Sequence, residues 1–131
     1  MFLNQLTDSE KAAFISFSVH AANSDDVFAD EEKVMINEYC KEMELDYPDK
    51  DNIMSMEDIM AVLSKSDIHN KKIVMFEILG LVYSDGEYAE EEKRFVNTYA
   101  KEIGLTEEDV KKQTELIIRY LGLLKEICEI L

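Results

Sequence analysis

Shifted by 60 residues, the chain overlays on itself without a gap. Residues 24–45 and 84–105 share 11 of 22 positions: Ser24, Asp25, Ala29, Glu31, Glu32, Lys33, Asn37, Tyr39, Lys41, Glu42 and Leu45 each recur 60 residues later. Each copy has the same plan: an apolar stretch, a Ser-Asp turn, an aromatic residue and an acidic helix start. A repeat of this length predicts a duplicated supersecondary unit whose halves bury their apolar faces against each other. The halves run about 7–64 and 67–126, and 131 residues suit one domain, 1–131.

Both copies read as helix. With one proline, Pro48, and four glycines in the chain, strand-and-turn patterns are hard to place. Thr7-Asp-Ser-Glu10 matches a capping box, in which the hydroxyl and the glutamate satisfy backbone N–H groups reciprocally. It opens a first helix carrying Phe14, Ile15, Phe17, Val19 and Ala22. A second helix is predicted over about 30–44, with Val34, Met35, Ile36 and Tyr39 inward. Tyr47 to Asn52 forms a turn around Pro48. A short third helix follows Ser55 and ends near Ser64. The fourth, about 67–83, is apolar on most sides and is predicted to be central. The fifth, about 90–103, stops at Gly104, a suitable residue just past a helix end. The last opens at Thr106 with acids that complement the helix dipole and runs to the end of the sequence. The expected fold is all-α: a helical bundle of about six to seven helices built from a pseudo-repeat.

Charge narrows the function. Asp and Glu total 29 against 14 Lys and Arg, a formal net charge of −15. Nucleic-acid binders need cations to displace phosphate counterions, and docking on anionic lipid needs basic clusters, so neither partner is expected. The longest apolar run, Ile73 to Tyr83, is broken by Glu77 and is far shorter than the ~20 residues that a bilayer requires. The first ten residues carry no basic n-region. Cys40 and Cys128 form no CxxC pair, which fits a reducing compartment. A soluble, cytoplasmic protein is expected.

At the repeated bend, Asp85-Gly-Glu-Tyr-Ala-Glu-Glu-Glu92 and its twin Asp25-Asp-Val-Phe-Ala-Asp-Glu-Glu32 resemble the Asp-Gly-x-apolar-x-x-x-Glu signature of the TerB-like family. The resemblance covers about Leu6 to Leu124. Copy one carries Asp26 where the signature has glycine, and Ala29 and Ala89 stand where a capping Ser or Thr is common. Membership implies an all-α pseudo-repeat fold in bacterial stress responses of the tellurite-resistance type, with metal binding at the acidic motif.

Two readings of these acids stand side by side. Asp25 and Asp85 fall in turns, and Glu32 and Glu92 follow seven residues later in the first turn of the next helix. A bend of that length can fold back so that Asp and Glu face each other, and packing of the two copies around a pseudo-twofold axis would gather all four. Carboxylates without Cys or His select hard cations such as Ca²⁺, Mg²⁺ or Mn²⁺. Asp26, Glu31, Glu87 and Glu91 are outer contributors. In the structural reading, Asp-Gly is a turn dipeptide, and acids in a first turn complement the dipole for about 0.3–1 kcal/mol each. An EF-hand does not fit, since Leu81 and Tyr83 occupy positions where oxygen ligands belong.

Catalytic patterns are sparse. His20 and His69 are the two histidines, and neither lies in a GxSxG or comparable nucleophile motif. No phosphate-cradling GxGxxG or GxxxxGK[ST] loop occurs. The chain is therefore read as a non-enzyme. The last helix is apolar on more than one face, which means that it is buried or paired. As the central post of the bundle it needs no partner. Otherwise Leu121, Leu124, Ile127 and Leu131 form a homodimer seam or a docking surface for another protein. Met43, Met54, Met56 and Met60, around the third helix, are read as core fillers.

Overall fold

Helix starts stand where the sequence places capping signals. The computed structural model describes residues 1–24, 30–84 and 90–131. Among these lie six α-helices and no strand: α1 Asp8–Ala22, α2 Asp30–Glu42, α3 Met56–Leu63, α4 Ile68–Val82, α5 Glu90–Glu102 and α6 Glu107–Ile130. Thr7 Oγ1 accepts from the Glu10 amide at 3.3 Å while Glu10 Oε1 accepts from the Thr7 N–H at 2.8 Å, the reciprocal box expected there. Ser55, Asp67 and Thr106 cap α3, α4 and α6 by accepting from the amide three residues on.

Lengths and offsets agree between the halves. α1 and α4 have 15 residues each, α2 and α5 have 13, and both pairs start 60 residues apart. Details at the ends also recur. Ser24 Oγ donates to the Ala21 carbonyl at 2.8 Å and Ser84 Oγ to that of Leu81 at 2.6 Å.

α1 and α4 hold the centre. α1 packs on α2, α3, α4 and α5, and α4 packs on α1, α2, α5 and α6. Phe14, Phe17, Val74, Met75, Ile78 and Leu79 are wholly buried there, each contributing about 1.5–3 kcal/mol through apolar area removed from water. Phe14 meets Tyr39 of α2 edge-on at 5.2 Å, and Phe17 lies 5.8 Å from Phe95 and 6.1 Å from Tyr99 of α5. The central placement expected of the fourth helix holds. Met43 and Met60 are buried, and Met54 and Met56 pack against the same core.

Two expectations are corrected. Val34 does not turn inward but is 60% exposed, because the buried side of α2 runs through Glu32, Ile36, Tyr39 and Cys40, a row two residues out of step with Val34. The last helix is not a central post. Only Val110 and Ile117 of α6 are buried, since α1 and α4 already fill the middle. Among the described residues no helix is long and apolar enough to cross a membrane.

Candidate functional site

The acidic helix starts come first. In both copies the third helical residue turns inward. Glu32 and Glu92 are each 3% exposed, while Glu31 and Glu91 beside them lie on the surface. The burial pattern of residues 30–38 repeats position by position in 90–98, so the same helical phase puts both carboxylates against the core side of their helices. An acid in the first turn is favoured by the helix dipole. Both helices lean on the same central pair, since α2 and α5 each pack on α1 and on α4. Asp25, Asp26, Asp85 and Glu87 lie outside the described residues. Among the described residues no group of three or more Asp, Glu, His or Cys side chains gathers as a metal site.

A second acidic place was not singled out by sequence reasoning. Glu42 and Glu77 converge on the amino group of Met1, at 2.7 and 2.9 Å. Glu42 Oε2 also accepts from the Leu3 amide at 2.9 Å, and Glu77 Oε1 from the Phe2 amide at 3.1 Å. Burial alone would lower the amine's pKa. Hydrogen bonds to the two carboxylates, and their charge, outweigh it and raise the amine above its ordinary value of 8.0. Glu77 is the charge that interrupts the apolar run of α4, and that interruption was the available signal. The Glu77 carbonyl also accepts from the buried Tyr39 hydroxyl at 2.9 Å. Burial, with the charges of Glu77 and Glu42 behind it, pushes that phenol well above its usual range.

Each histidine meets a polar group distant in sequence. His20 Nε2 lies 2.8 Å from the Met54 carbonyl, joining α1 to the approach to α3, and His69 Nε2 lies 2.9 Å from Gln5 Oε1. Both thiols are free, Cys40 buried and Cys128 exposed.

The apolar residues of α6 form the remaining candidate. Leu121 packs partly on the core. Leu124 and Ile127 are each 42% exposed, and Leu131 lies almost wholly in solvent. Tyr120, Leu121 and Leu124 line an open groove with Phe76 and Glu77 of α4 and Glu42 of α2. Every residue from Gly122 onward is exposed.

Comparison with family models, with curated proteins and with solved structures finds no match.

Proposed function

We propose that the chain is a non-enzymatic, TerB-like module of a bacterial stress response of the tellurite-resistance type. In this reading it works in the cytoplasm, its two halves are copies of one unit, and its acidic bends bind a divalent cation. One observation carries the cation site: Glu32 and Glu92 are both buried at the third position of equal-length helices 60 residues apart. Each of these carboxylates follows an aspartate, Asp25 or Asp85, by seven residues in the sequence, so both copies offer the same pair of oxygen donors. Oxygen ligands alone suit Ca²⁺, Mg²⁺ or Mn²⁺. Binding to the folded state would tie the helix starts together and raise stability by mass action.

Thermal melts with each divalent ion against chelator test this, with NaCl at matched ionic strength as the control for screening of a −15 chain. At ten times Kd, binding is worth about 1.4 kcal/mol and lifts the melting midpoint by about 5 °C. In Glu32→Gln/Glu92→Gln the lift beyond the salt control should vanish. An unchanged divalent effect in that variant, or none in the parent, refutes the site.

A second reading is favoured by the exposed apolar residues of α6. Here the bend acids are structural, and the chain is a protein–protein interaction domain whose contact surface is its last helix.

A further inference from the structure

α6 carries two apolar rows, and its own fold uses only one. Val110, Ile117 and Leu121 face the core. The other row is Leu116, Tyr120, Leu123, Ile127 and Ile130, spaced four, three, four and three residues apart, and 39–83% exposed. That spacing is the a/d repeat of a two-helix coiled coil. A helix with apolar residues on its open side is normally covered by something.

Charge identifies the cover. Residues 115–131 hold three acids (Glu115, Glu126, Glu129) and two bases (Arg119, Lys125), a net of 2 − 3 = −1 in a chain of −15. Self-repulsion along this stretch is therefore small. Arg119 and Glu126 lie one heptad apart on the same flank of the seam, and among the described residues neither makes an ion pair within the chain. Two α6 helices can be laid antiparallel so that Tyr120 faces the second copy's Leu123 and Leu116 faces its Ile127. The same register sets Arg119 against the second copy's Glu126, and Glu126 against its Arg119, once on each side of the twofold axis. A parallel pair instead puts Arg119 near Leu124 and Glu126 near Leu131, leaving both charges unanswered.

We propose that the chain forms a homodimer through an antiparallel α6–α6 seam in this register. The proposal rests on the reading of α6 as an interaction face. It is independent of any cation site. A twofold arrangement uses the same patch on both copies, as isologous dimers do.

Sedimentation equilibrium of the purified chain over a range of concentrations tests it. The expected species has twice the 15.2 kDa chain mass. Leu123→Glu/Ile127→Glu should be monomeric at every concentration while keeping a cooperative thermal melt, because both side chains are exposed and the core does not use them. Arg119→Glu alone and Glu126→Arg alone should each weaken dimerisation by about tenfold, since each places two like-charge contacts across the axis. The double exchange, Arg119→Glu/Glu126→Arg, should restore the parental Kd. A parent that stays monomeric overturns self-pairing while leaving α6 open to a different chain. A dimer that survives Leu123→Glu/Ile127→Glu overturns both the seam and the interaction reading of α6. A double exchange no better than the singles overturns the antiparallel register.

Discussion

Glu10 closes the first helix and also joins the two halves. Its Oε1 accepts from the Thr7 N–H and from the Asn70 side-chain amide, both at 2.8 Å, so the start of α1 is fastened to the start of α4. The residue is buried. Burial disfavours its charge, but the polar groups around it outweigh that and hold the carboxyl below its ordinary pKa of 4.5. These are the Ser66 hydroxyl, close by without good hydrogen-bond geometry to any described residue, then the Thr7 backbone and side chain and the Asn70 amide. The sign follows directly. A carboxyl whose folded pKa is depressed adds stability that is fully present above the unfolded value and is lost as pH falls through the folded one. Glu10→Ala should cost about 2 kcal/mol at pH 7, combining a lost cap with a lost bond to a charged acceptor. Glu10→Gln, which keeps an acceptor but no charge, should cost about half as much. Urea unfolding from pH 7 to pH 3 checks both. The gap between the parent and Glu10→Gln should close below pH 4.5, and a gap that stays constant with pH would show that charge plays no part.

At the scale of the element, the two acid-bearing helices end alike although their sequences differ there. The Leu45 amide donates to the Cys40 carbonyl at 2.8 Å, and the Leu105 amide to that of Ala100 at 2.9 Å. Each is the wide closing bond of a Schellman turn, which needs one residue at positive φ. In the second copy that residue is Gly104, at φ 98°; in the first it is Glu44, at φ 57°. Glycine adopts this conformation freely, whereas an L side chain pays about 1–2 kcal/mol. Glu44→Gly should therefore stabilise the protein by about 0.5–1 kcal/mol, and Gly104→Ala should destabilise it by about 1–2 kcal/mol. An added Cβ at Gly104 would meet only the end of Lys71, at 3.6 Å, so that cost is conformational and not steric. Chemical denaturation measures both changes, and equal effects of the same sign would refute the assignment. This pair also marks how far sequence reading reaches. Gly104 announces a helix stop because of its residue type, but Glu44 makes the same turn with no such signal. Thr7, Ser55 and Thr106 announce starts for the same local reason. Facing depends on distant neighbours, so the apolar pattern alone neither shows that Val34 lies outward nor chooses between a central and a peripheral α6. Of the candidate metal ligands, the burial of Glu32 and Glu92 could not be read from an acidic run in which Glu31 and Glu91 look the same.

At the scale of the molecule, one continuous core spans both halves, taking in Phe14 and Phe17 of α1, Ile36 of α2, Ile59 of α3, Ile78 of α4 and Val96 of α5. Core contacts join the halves. α1 lies against α4, and Phe17 reaches Phe95 and Tyr99 of α5. Residues 1–5 cross the divide as well, through the bonds of Phe2 and Met1 to Glu77. A half of some 65 residues bears the surface-to-volume penalty of a small domain, and here each half alone would leave one whole side of its central helix in water. Short helices gain most of their stability from such packing and little from intrinsic propensity. Residues 1–66 and 67–131, made separately, should therefore each show weak helical dichroism and no cooperative melt. Mixed in equal amounts, they should regain helix and a sigmoidal transition, because the surfaces that each lacks are supplied by the other. The mixed pair should melt below the intact chain and rise with concentration, as a two-chain assembly must. The partition of the core would be wrong if either fragment melted cooperatively alone at micromolar concentration. Phe17→Ala in the first fragment sharpens the comparison. It removes a side chain that faces α5 across the divide, so it should abolish recovery on mixing while leaving the already weak signal of the isolated fragment almost unchanged.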